Sequence, residues 1–198
     1  MNGLNDEVRT LIGVTLSEPQ AAARRLISIN PPMQARWLGL AFVSVVTLLL
    51  MRLMLLSVPE GELTPLGMIM GHPIGGVAIQ AGSILLMAVA MAYAGRIFGG
   101  RGRFEDALML TVWIEFILAM LSAVQFVLLL VLPLGGALLS LVAIGLFVWL
   151  MVNFTAVLHG FTRLWAVLAG MVATFVVLVL TLALLLAVLG IAPPSGIF

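Results

Sequence analysis

Five apolar runs, each about the length of one bilayer crossing, constrain this chain more than any other feature. They occupy approximately residues 36–57, 76–97, 106–131, 136–158 and 164–190. A hydrocarbon layer about 30 Å thick needs about 20 apolar residues per helix, and inside it every backbone amide must find its partner within the segment. The expected fold is therefore all-α: a polytopic integral membrane protein built as a bundle of five transmembrane helices. Composition points the same way, since 63% of the residues are hydrophobic and 9% charged, whereas a soluble domain carries roughly 25% charged residues. There is no cysteine, which excludes thiol chemistry and Cys-based metal sites.

Orientation follows from the arginines, which make up all nine basic residues. Arg9, Arg24, Arg25 and Arg36 precede the first span, Arg96, Arg101 and Arg103 lie between the second and third, and Arg163 lies between the fourth and fifth. The opposite connections, 58–75 and 132–135, carry Glu60 and Glu62 but no arginine. The positive-inside rule then puts the N-terminus in the cytoplasm and the C-terminus outside. Asp6, Glu7, Arg9, Glu18, Arg24 and Arg25 interrupt the first 33 residues. No cleaved leader is expected, and the first span serves as the insertion signal.

The lead-in VTLSEPQAAARRLISINPP predicts a short amphipathic helix. Ser17 and Gln20 have capping-box spacing and Pro19 suits a first helical turn. Ala22, Ala23, Leu26 and Ile27 share a face, Arg24 and Arg25 reach outward, and Pro31-Pro32 ends the segment. Such a helix lies on the cytoplasmic leaflet, as a juxtamembrane anchor or as a docking surface. Between the first two spans, an apolar LGMIM patch is expected to dip into the outer interface.

Glu115 stands about 10 residues into the third span, or about 15 Å at 1.5 Å per residue. An acidic side chain at a helix centre costs about 2.5–3.5 kcal/mol, so it must be neutral, paired or wet. Thr111, Glu115, Ala119, Ser122 and Gln125 fall on one stripe of the helix. The candidate polar site is Glu115 with Thr111, Ser122 and Gln125, either a proton or cation site or a carboxyl that holds helices together. Arg52 either reaches the outer headgroups or pairs with Glu115, and Asn153 is a further candidate contact.

In the segment GGRGRFED, glycine amides with Arg101 and Arg103 could form an anion-binding nest or a plain topological anchor. It carries no nucleotide-binding fingerprint. Glu105 and Asp106 complement the dipole at the start of the third span. Arg24, Arg25, Arg96, Arg101 and Arg103 form a candidate rim for lipids or a protein partner. His72 and His159 fall on opposite faces and cannot share a metal; no cofactor and no nucleic acid is expected. His159-Gly160 reads as the end of the fourth span. Ala166, Gly170 and Thr174 make a small-residue face on the fifth, suited to packing within the bundle or to dimerisation. Trp37, Trp113, Trp149 and Trp165 suit interface belts and bundle filling.

Taken together, SEPQAAARRLISINPP before the first span, FGGRGRFEDALMLTVW between the second and third, and VLHGFTRLWAVLAG between the fourth and fifth resemble the bacterial branch of the Yip family, the Ypt-interacting proteins. The likeness covers about residues 17–190. It implies a cytoplasmic N-terminus, five helices and no known enzymatic activity, and it supplies no catalytic residues. Eukaryotic members of that family bind prenylated Rab-type GTPases and are implicated in vesicle traffic. This sequence lacks their DLYGP-type motif and its N-terminal head is only about 35 residues, so that role does not carry over.

The expected organisation is a cytoplasmic segment 1–33 with its interfacial amphipathic helix, a five-span Yip-like domain 34–192, and a short non-cytoplasmic tail 193–198. The expected function is that of a non-enzymatic accessory or organising factor in the bacterial inner membrane. Its candidate partners are membrane lipids, a membrane protein complex or a second copy of the chain. The alternative is a small proton- or cation-coupled transporter centred on Glu115.

Overall fold

The computed structural model describes residues 2–55 and 72–188. Those residues form helices and no strand. The helices are α1 (Asn2–Ser17), α2 (Pro19–Ile29), α3 (Met33–Leu55), α4 (Pro73–Ile97), α5 (Phe104–Val131), α6 (Pro133–His159) and α7 (Leu164–Val188). Helices α3 to α7 are the five long enough and apolar enough to cross a membrane, each within a few residues of its expected run. The LGMIM patch, Glu60, Glu62 and the tail fall outside the described residues.

Local chemistry explains the boundaries. Prolines open α2, α4 and α6 at their first positions, where the missing N–H costs nothing and the fixed φ suits the helix. Two helices end in matching left-handed caps. At the end of α4, Gly99 has φ +87°; the Gly100 amide donates to Gly95 O at 2.9 Å and the Gly99 amide to Arg96 O at 3.0 Å. At the end of α6, Gly160 has φ +75°; the Phe161 amide donates to Ala156 O at 2.8 Å and the Gly160 amide to Val157 O at 3.3 Å. Both are Schellman closures, which satisfy carbonyls the helix leaves open and favour glycine at the positive φ.

Helix α5 is the centre of the bundle, packed against α3, α4 and α6, while α7 sits at the edge against α6 and α4. One core joins Ala107, Leu110, Ile114 and Ile117 of α5 to Met91, Leu150 and Phe154. A second joins Leu108 to Leu40, Val43, Ile84 and Ala88. The outer faces stay apolar and exposed, as at Leu38, Leu141, Phe175 and Leu184, which is the pattern of helices whose solvent is lipid.

The N-terminal segment departs from expectation. A helix, α1, occupies residues where none was predicted, and it runs through Ser17. The predicted capping box therefore does not form: the Ser17 hydroxyl donates back to Gly13 O at 3.0 Å, and α2 starts after Glu18 with no side-chain cap. The apolar face of α2, expected to meet the leaflet, meets protein instead. Ala22, Ala23 and Leu26 are buried in the same core as α5 and α6, together with Leu11 of α1.

Candidate functional site

The connection between α4 and α5 carries two of the rim arginines, Arg101 and Arg103, with Arg96 in the last turn of α4, and its backbone is locked from both sides. The Gly102 amide donates to Nδ1 of His159 at 3.0 Å, while the Gly102 carbonyl accepts from Arg96 Nε at 2.9 Å. His159 Nε2 lies 2.8 Å from Met91 O. An Nδ1 that accepts leaves the proton on Nε2, so the ring donates to that carbonyl. The imidazole fills a cup of glycine: a Cβ added at Gly95, Gly100 or Gly102 would collide with it. His159 thus stitches the ends of α4 and α6 through the connection. The amides of Gly99, Gly100 and Gly102 are all engaged by protein acceptors, so the anion nest entertained for GGRGRFED is not formed by them.

On this frame Arg24, Arg25, Arg96, Arg101 and Arg103 are all exposed. Arg103 also pairs with Glu105 at 3.5 Å, and the Arg96 guanidinium lies 4.9 Å from the Tyr93 ring centroid. Of the five rim arginines, Arg96 is thus the one engaged in holding the backbone.

Arg36, counted in the sequence only as a topological charge, is a buried hub. Its side chain is 3% exposed. It donates to Asn30 Oδ1 at 2.9 Å, to Pro31 O at 3.1 Å and to Asp106 Oδ1 at 3.3 Å. Asn30 holds a left-handed φ of 42° at the end of α2, and Arg36 clamps that turn to the first turn of α5. Two further hydrogen bonds fasten the N-terminal helices. Trp113 Nε1 donates to Thr15 Oγ1 at 3.0 Å, and Gln20 Nε2 to Asn153 Oδ1 at 3.1 Å. Asn153 completes its own pairing by donating to Trp149 O at 2.8 Å.

The polar stripe on α5 is not one connected site. The Thr111 hydroxyl donates to Ala107 O of its own helix, and Gln125 Nε2 donates across to Ser140 Oγ on α6 at 2.7 Å. Ser122 is half-buried on the same helix. Among the described residues Glu115 makes neither a hydrogen bond nor an ion pair. Asn153 is taken by Gln20, and Arg52 is not paired with Glu115. The interhelical polar contact of this stripe is made by Gln125. No group of three or more His, Asp or Glu able to hold a metal occurs among the described residues. His72 caps α4, its Nδ1 accepting from the Gly75 amide at 3.5 Å.

Sequence reading missed Arg36, Gln20, Thr15 and the structural role of His159. The signal that was available lies in the glycines 95, 99, 100 and 102, packed more densely than a topological anchor needs.

A family model described as the Yip1 domain matches residues 13–186. No curated protein and no solved structure matches the chain.

Proposed function

The chain belongs to the Yip1 domain family of membrane proteins, and on that footing we propose that it is a non-enzymatic accessory factor of the bacterial inner membrane. In this reading it organises a membrane protein assembly or lipids through its arginine-bearing rim, with the N-terminus in the cytoplasm. The observation that carries the reading is that Arg24, Arg25 and Arg101 are exposed while the backbone beside Arg101 is held by His159 and Arg96. A fixed backbone spares the cost of ordering the connection when its guanidinium groups meet phosphate or carboxylate, and each is worth about 1 kcal/mol near an anionic surface.

The test is a variant with Arg24, Arg25, Arg101 and Arg103 changed to Gln, leaving Arg96 in place because it holds Gly102. After mild extraction through a tag, mass spectrometry should show partner proteins or lipids that accompany the wild type and are lost from the variant. Identical recovery from both, with the same thermal midpoint, sinks the proposal.

A further inference from the structure

A cavity of about 730 Å³ lies between α4, α6 and α7. Met87, Met91, Met151 and Met171 give it an adaptable apolar wall. Ala166, Gly170 and Thr174, whose four-residue spacing suits close helix contact, line this space instead of gripping a neighbour. The nearest atoms that a Cβ added at Gly170 would meet are those of the Phe98 ring, at 3.5 Å and beyond. The small residues of α7 therefore leave room where they could have closed it.

Polar groups gather at one end of the cavity, by the turn between α6 and α7: Thr155, Thr162 and Arg163. Thr155 is 6% exposed and its hydroxyl has no hydrogen-bond partner. Thr111, Thr174 and Thr181 each return their hydroxyls to the carbonyl four residues back, an option Thr155 leaves unused. A buried hydroxyl without a partner, in the wall of a cavity, marks a place for an acceptor. Arg163 makes no ion pair among the described residues, and α7 begins at the next residue, adding helix-terminal amides to its charge.

The dimensions select the occupant. From Arg163 to Leu178 the wall runs about 22 Å at 1.5 Å per residue, against about 15 Å for the hydrocarbon half of a bilayer about 30 Å thick. A small anion would leave the apolar length empty, and an uncharged lipid would leave Arg163 without a counterpart. Thr155 lies about one helical turn inside the end of α6, where an ester carbonyl sits below a phosphate.

We propose that this cavity holds one chain of an anionic phospholipid, its phosphate at Arg163 and the start of α7, and an ester carbonyl accepting from the Thr155 hydroxyl. None of the rim arginines lines the cavity, so the site stands apart from the rim reading.

The experiment is a native mass spectrometry titration of the full chain in detergent, carrying the four rim substitutions so that surface charge does not contribute. The probes are phosphatidylglycerol and diacylglycerol with identical chains, and glycerol phosphate. Phosphatidylglycerol should bind one to one and about tenfold more tightly than diacylglycerol, which lacks the phosphate, as one charge-assisted contact allows. Arg163→Gln should erase that preference, and Thr155→Val should weaken both lipids alike. Gly170→Leu, with Ala166→Leu as a second filling of the same wall, should block both while the thermal midpoint holds. Equal binding of the two lipids, phosphatidylglycerol binding untouched by Arg163→Gln and by both fillings, or glycerol phosphate binding as tightly as the lipid would each overturn the proposal. Failure here leaves the rim reading intact, because that reading is tested by the partners recovered with and without the rim arginines.

Discussion

The Gly102 amide and Nδ1 of His159 meet at 3.0 Å, and through that bond the last residue of α6 holds the connection that carries Arg101 and Arg103. The ring is hydrogen-bonded on both nitrogens and boxed by Gly95, Gly100 and Gly102. The connection thus behaves as part of the bundle rather than as a loop above it.

Gly95→Ala and Gly100→Ala should each lower stability by about 1–3 kcal/mol, the usual cost of forcing extra atoms into a filled space. In a His159→Ala background the same changes should cost much less, since the colliding ring is gone. A double-mutant cycle on thermal unfolding in detergent measures this coupling, and purely additive losses would show that the box does not exist.

Arg36→Gln should destabilise the protein by about 3 kcal/mol, because it strands Asp106 and opens the turn at Asn30. Arg36→Lys should recover only part of the loss, as an ammonium lacks the planar fork that reaches three acceptors. Asp106→Asn should cost less than Arg36→Gln, since the bonds to Asn30 and Pro31 remain. Chemical denaturation of the three variants gives the order.

Removing the docking bonds of the N-terminal helices should loosen them without unfolding the spans. Gln20→Ala and Trp113→Phe each delete one hydrogen bond, worth about 1 kcal/mol. Hydrogen exchange in residues 5–29 should accelerate in the double variant while exchange in α5 and α6 stays as in the wild type. Uniform acceleration throughout would mean that these helices belong to the global unfolding unit.

Glu115→Gln should change stability by no more than about 0.5 kcal/mol, and Glu115→Leu should be neutral or stabilising, because no hydrogen bond or ion pair among the described residues is lost. A thermal midpoint lowered by several degrees in Glu115→Gln would reveal a partner that the described residues do not supply.

The five spans were legible because hydrocarbon thickness sets a run length that hydropathy reports directly. Helix α1 was not: Asp6, Glu7 and Arg9 break its hydropathy, and its buried residues Leu11 and Thr15 are too few to outline a face until α5 is present. The stripe on α5 was legible as a stripe, yet which member would cross to α6 was not, because that depends on Ser140 lying opposite Gln125. Arg36 was counted as a charge because its partners, Asn30 and Asp106, lie on either side of it at very different distances along the chain. The cavity by α7 runs against its sequence signal, since small residues at four-residue spacing describe close approach equally well.

The bond between Gln20 and Asn153 joins residues 133 positions apart, which sets a timetable for biogenesis. At about 5–20 residues per second, the partner of Gln20 is made roughly 7–27 s after Gln20 itself. Throughout that interval α1 and α2 must stay unsealed, their apolar faces waiting at the membrane while three spans are threaded. The N-terminal helices are synthesised first and sealed only when α6 arrives, so a truncated chain that stops before α6 would leave the ribosome with its opening segment held by its α5 contacts alone.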